Sequence, residues 1–327
     1  MKFRRFGAVA VLALLTACGE PPLPVEPGVS LALAEHRRAV LSDIAYTLDF
    51  DIPADPDEAI AGSVTIDFVL AGAPRPLQLD FRERGDLIHS IVVNGSESAW
   101  HFADEHIVIP AEVLVAGENA VSIEFTAGSS SLNRNPGYLY TLFVPDRART
   151  AFPLFDQPDL KATYALTLRL PRGWTAMSNA PISRVHWDAT STEYRFSPSD
   201  LISSYLFSFV AGEFETVSRD VGGRQMTMLH REIDREKVAR NLDDIFFLHA
   251  AALDWLEAYT GIDYPFTKFG FALIPAFQYG GMEHVGAIQY RASSLLLDEA
   301  PSETRLLSRA SLIAHETAHM WFGDLVT

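Results

Sequence analysis

From Ile44 to about Phe214, apolar and polar residues alternate in short stretches. Residues 45–50 (Ala-Tyr-Thr-Leu-Asp-Phe) and 62–70 set the pattern, and 87–93, 120–125, 164–170 and 205–210 repeat it. Alternation places every second side chain on one face of a strand. Asn94-Gly95 and Pro171-Arg172-Gly173 punctuate the runs as turns do. The pattern predicts an antiparallel β domain that no long amphipathic helix interrupts.

The texture changes after Glu213. Residues 223–230 read as one more strand. Between 234 and 260, apolar residues at Val238, Leu242, Ile245, Leu248, Leu253, Leu256 and Tyr259 follow helical spacing. Gly261 is placed to cap that helix, and Pro265 prevents its continuation. Residues 269–274 are expected as a buried strand, Gly280-Gly281 as a tight turn and 287–297 as another strand. Pro301-Ser302-Glu303-Thr304 opens a last helix. A strand-rich front and a mixed rear predict an α+β chain of two domains, 31–215 and 216–327.

The length of 327 residues leaves room for both, and 48% hydrophobic with 21% charged residues is a globular balance. The net charge of −16 excludes nucleic acid as a natural partner, because phosphate binding needs a basic surface. Residues 1–18 read as a leader: Lys2, Arg4 and Arg5 precede an apolar run too short to span a bilayer. Leu15-Thr16-Ala17-Cys18 resembles the bacterial lipobox, whose cysteine is lipidated. Cys18 is the only cysteine, so no internal disulfide competes for it. The alternative is an ordinary secretory leader with an incidental cysteine. Residues 19–30, with Pro21, Pro22, Pro24 and Pro27, read as an extended tether. The expected location is periplasmic and lipid-anchored; by the same resemblance Gly19 after the cysteine favours the outer membrane.

Chemistry concentrates near the end. His315-Glu316-Thr317-Ala318-His319 on a helix sets two imidazoles one turn apart on one face, the spacing for two ligands of one zinc ion. Glu316 then stands where a carboxylate can take a proton from water that the metal activates. Upstream, Gly280-Gly281-Met282-Glu283-His284 pairs a flexible backbone with a carboxylate able to hold a free α-ammonium group.

These two blocks, extended by Trp321-Phe322-Gly323-Asp324-Leu325-Val326-Thr327 and joined by Phe155-Asp156-Gln157-Pro158-Asp159-Leu160-Lys161-Ala162, strongly resemble the aminopeptidase N type of gluzincin metallopeptidases. The likeness runs from about residue 40 to the end. It implies the start of a thermolysin-like α/β catalytic domain behind the β domain, and Zn2+ held by His315 and His319. It implies Glu316 as general base, with Gly280, Gly281, Met282 and Glu283 binding peptides that have a free N-terminus. The family's third ligand, a Glu beyond an eighteen-residue spacer, would fall at position 338. An oxyanion-stabilising tyrosine and a helical domain would lie further on. The chain is therefore expected to be the N-terminal portion of a longer enzyme.

Asp324 is the one conceivable substitute ligand within it. His284 stands where the family has Asn and is not expected to bind metal. Relatives carry Gln or Glu upstream of the position of Arg149, where this chain offers only Asp146. Asp156 and Asp159 are expected in a turn, paired with Arg149 or Lys161. Phe277, Tyr279, Trp321 and Phe322 could line a pocket, but packing explains Trp321 and Phe322 more simply; Tyr138 and Tyr140 belong to the β domain. Two other readings remain: an endopeptidase of the same zinc class, and a non-catalytic surface lipoprotein with a vestigial metal site.

Overall fold

The computed structural model describes residues 23–326; the leader with Cys18, and Thr327, lie outside them. The fold is α+β and rich in sheet. Its largest sheet has eight strands in the spatial order Ile182–Trp187, Ser191–Phe196, Thr163–Pro171, Leu41–Asp51, Ala61–Leu70, Gly117–Thr126, Ile88–Val93 and Ser96–Glu97. One neighbouring pair departs from the expected antiparallel arrangement. Leu41–Asp51 and Thr163–Pro171 run in parallel, from Ala45 opposite Thr163 to Asp51 opposite Arg169. Alternation is the same in both kinds of pairing, and no hairpin joins these distant strands to fix their direction. Asn94 and Gly95 do form a hairpin turn, both with positive φ (51° and 81°).

The inner face of this sheet, with Tyr46, Leu48, Phe50, Ile66, Phe68 and Ile123, shares one core with two smaller sheets. Strands Leu77–Asp80 and His106–Ile109 are buried at every position, so they lack the alternation that would reveal them. The strand expected at 205–210 begins only at Phe209, after a 3-10 turn at Ser204–Leu206. Asn179 is the reason. Its amide donates to Leu206 O and its oxygen accepts from Ser208 N, occupying groups that a strand ladder would use.

Ahead of the sheet lies α1 (Leu31–Val40), capped by Ser30, whose hydroxyl oxygen accepts from Leu33 N. The described part of the segment read as a tether lies against the β domain. Gln78 Nε2 donates to Pro24 O at 3.3 Å, and His106 Nε2 reaches Glu26 O at 3.0 Å and Gly28 O at 2.9 Å.

The rear of the chain forms a five-stranded mixed sheet in the order Glu215–Val221, Arg224–His230, Phe269–Ile274, Ile288–Arg291 and Gly281–Met282. Helix α2 (Arg235–Thr260) makes the crossover between two parallel strands of this sheet. Asp234 accepts from Lys237 N at its start, and Gly261 ends it with φ 68°. One face of the sheet, with Met228, Phe271, Leu273 and Tyr290, packs on the helices; the other, with Leu229, Ala272 and Ile274, packs on the β domain. Burial on both faces explains the unbroken apolar run at 269–274.

The strand expected over 287–297 stops at Arg291, and Ala292–Leu295 forms the helical turn α3. Asn241 on α2 binds both Leu297 N and Leu297 O and draws this run onto the helix. Helix α4 (Glu303–Ala318) follows, capped by Ser302, and is fixed to α2 by the buried Arg309 guanidinium, which donates to Asn241 Oδ1 at 2.7 Å and Asp244 Oδ2 at 2.6 Å. No helix among the described residues is long and apolar enough to cross a membrane.

Candidate metal centre

The last turn of α4 brings His315 and His319 together with their Nε2 atoms 3.3 Å apart and their rings perpendicular. Two nitrogens bound at 2.0–2.1 Å to one tetrahedral zinc ion would be about 3.3–3.4 Å apart. The pair therefore already has the spacing of two zinc ligands. Between them in sequence, Glu316 is buried and faces the edge strand Gly281–Met282.

That edge strand corrects the expectation of a tight turn. Gly281 and Met282 pair antiparallel with Tyr290 and Gln289, neither glycine has a positive φ, and the turn lies at Val285-Gly286. What Gly281 provides is room. A Cβ there would fall 2.5 Å from Glu316 Cδ and 2.6 Å from Glu316 Cγ, so any larger residue displaces the carboxylate.

Glu283, Glu316 and His319 each offer a ligand atom within 4.8 Å of the others. Burial, and then the nearby Glu283 carboxylate, push Glu316 up to about 8. The same two causes push Asp324 up to about 9, with Lys161 opposing and Glu316 adding. Asp324 is fully buried and stands outside the Glu283–Glu316–His319 group, its backbone N bonded to His319 O at 3.0 Å. Two carboxyl groups thus stand beside the His319 imidazole, and Asp324 lies near enough to feel both of them and the Lys161 ammonium. A divalent cation between the imidazoles would supply the missing positive charge, so the donor set fits zinc.

His284 lies outside this group, fully buried, with burial pulling it down to about 3. Asp146 is engaged by the Arg149 guanidinium at 2.7 Å. Asp156 is not paired with that guanidinium: it accepts from Arg149 backbone N and Ser204 Oγ, and the turn expected here lies at Pro158-Asp159. Lys161 pairs with neither Asp156 nor Asp159. Its Nζ crosses to Asp324 O at 2.8 Å and Leu325 O at 3.1 Å. A residue 163 positions away has no signature in a local motif, so this contact was invisible in the sequence.

The four aromatic residues divide. Trp321 is core, with Nε1 donating to Ile262 O, and Phe277 packs edge-on against Tyr140; Tyr279 and Phe322 are exposed. Tyr138 and Tyr140 lie in a sheet of the β domain. A cavity of about 590 Å³ near Met177, Phe196, Tyr264 and Lys268 shares no lining residue with the metal centre.

A family model described as Peptidase M1 N-terminal domain matches residues 42–206, and one described as Peptidase family M1 domain matches 247–327. Aminopeptidase N of Streptomyces lividans is 32% identical over 319 residues, which cover 92% of this chain and 36% of that protein. Aminopeptidase M1-B of Oryza sativa subsp. japonica is 30% identical over 318 residues, 89% of this chain and 35% of its own length. Puromycin-sensitive aminopeptidase of Caenorhabditis elegans is 37% identical over 191 residues, 57% of this chain and 20% of its own length. The chain spans from about a fifth to a little over a third of these curated relatives.

Proposed function

The chain belongs to peptidase family M1, and from that membership we propose that it is the N-terminal portion of a zinc aminopeptidase that hydrolyses the first peptide bond of substrates with a free N-terminus. The observation that carries the reading is the imidazole pair 3.3 Å apart beside a buried Glu316. His315 and His319 would hold Zn2+, which when bound supplies Lewis-acid polarisation of the scissile carbonyl and lowers the pKa of water. Glu316 takes the proton from the attacking water and passes it to the leaving amine. Gly281–Met282, at the edge of its sheet, presents backbone groups with which an extended peptide can pair. Glu283 receives the α-ammonium group, which limits cleavage to the first bond.

Glu283→Gln in the full-length enzyme tests the exopeptidase reading. Losing one charge-assisted contact is expected to lower kcat/KM for free aminoacyl anilides about 10–100-fold. N-blocked peptides should be poor substrates for both forms. Faster cleavage of the blocked peptide by the wild type would instead favour the endopeptidase reading.

We also propose export with lipidation at Cys18, supported by the basic start, the short apolar run and the single cysteine. Labelling with a radioactive fatty acid should tag the wild-type chain and spare Cys18→Ser. Equal labelling of the two would remove the assignment.

A further inference from the structure

The loop that follows α4 is held from the other domain. Lys161 Nζ donates to Asp324 O and Leu325 O, and Tyr205 OH donates to Gly323 O at 3.4 Å. Three consecutive carbonyls are thus fixed by side chains of the β domain, which contributes none of the candidate ligands. A cation at this place also suits the negative end of the helix.

Within the loop, Asp324 N returns to His319 O and Leu325 N to Met320 O at 3.2 Å. Phe322 O lies 3.2 Å from His319 Nδ1. A carbonyl only accepts, so this contact requires the proton on Nδ1 and leaves the lone pair on Nε2. That is the nitrogen 3.3 Å from its counterpart on His315. The competing acceptor, Glu283 Oε1, is 3.9 Å from Nδ1, beyond hydrogen-bond length. The orientation of His319 as a ligand therefore depends on where Phe322 O sits, and the loop carrying Phe322 O is tied to Lys161.

We propose that Lys161 is a positioning residue for the metal centre: by anchoring residues 323–325 from the β domain, it keeps Phe322 O against His319 Nδ1 and so presents Nε2 as the free ligand. The inference rests on the metal-centre reading above. The cavity beside Lys268 carries no comparable one, since that ammonium is already engaged by Ser178 O and Gly286 O.

Two measurements on the full-length enzyme test this. Nitrogen-15 NMR of the histidine side chains, on metal-free protein, should show His319 with its proton on Nδ1 in the wild type and a mixture of tautomers in Lys161→Met. Chelator competition should show zinc affinity about 10–100-fold weaker in the variant, the usual cost of losing an outer partner of a ligand. A merely structural lysine would lower the melting temperature and leave both the tautomer and the affinity unchanged, and that result overturns the proposal. If Lys161→Met does not fold, Lys161→Gln is read in the same way: an unchanged tautomer rejects the role. A full-length wild type that binds no zinc would count against the metal reading, while the metal-free tautomer comparison would still decide the role of Lys161.

Discussion

Glu316→Gln in the full-length enzyme is expected to lower kcat by about 10²–10⁴-fold while leaving zinc bound. Glutamine keeps the shape of the side chain that fills the space over Gly281, so neither α4 nor the Gly281–Met282 strand has reason to move. The two imidazoles are untouched, and so is their spacing. What disappears is the ability to accept a proton. The loss should therefore fall on kcat with little change in KM, and metal content by atomic absorption should match the wild type. Residual turnover within tenfold of the wild type would assign the proton transfer elsewhere. Loss of zinc would show instead that Glu316 acts through the ligands.

Features that depend on neighbours in sequence were legible before the structure. Gly261 ends α2 where the sequence placed its cap, because capping is decided within a few residues. The imidazole pair was legible because one helical turn separates its members. The remainder depends on contacts between distant residues. Gly281 looked like a turn glycine, yet its requirement is set by Glu316 on another element. Tyr205 and Ala292 sit in runs apolar enough for strands, and the side chains of Asn179 and Asn241 capture nearby backbone groups instead. Arg37, Asp80 and His106 carry no motif at all. Each lies in a different element, α1, Leu77–Asp80 and His106–Ile109, and only the fold brings them together.

Asp80→Asn is expected to cost about 3–5 kcal/mol of stability, because it leaves a buried guanidinium without its counter-charge. Arg37 donates to Asp80 Oδ2 at 2.8 Å and Oδ1 at 2.6 Å, and both side chains are almost wholly buried. Asp80 also accepts from Asp156 N at 2.8 Å and meets His106 Nδ1 at 3.0 Å. The other nitrogen of His106 faces Glu26 O and Gly28 O, so both ring nitrogens look at acceptors and the folded state favours the imidazolium. An asparagine would turn an amide toward Arg37 or toward His106, donor against donor. Urea unfolding should show the loss, and hydrogen exchange in residues 23–30 should speed up as the His106 contacts weaken.

Acid supplies an independent reading of the same network. Burial pushes Asp80 up, but Arg37 and His106 outweigh it and hold the carboxyl at about 2, against about 3.9 in an unfolded chain. A lowered folded value stabilises above the unfolded one and is lost as pH falls, so this contribution should fade between about pH 4 and pH 2. For His106, burial pulls down while the Asp80 contact raises the net value. Its contribution is complete below about pH 6.5 and is lost as pH rises through the folded value. Asp156, pushed up to about 6 by burial first, loses stability as pH rises, which opposes Asp80 and adds to His106, so the informative quantity is wild type minus Asp80→Asn at each pH. That difference should be largest between about pH 4 and pH 6.5 and shrink on either side. Replacing Arg37, Asp80 and His106 together by apolar residues should cost less than Asp80→Asn alone, since no charge is then left buried without a partner. A loss below about 1 kcal/mol for Asp80→Asn, flat with pH, would mean that the β domain stands without this network.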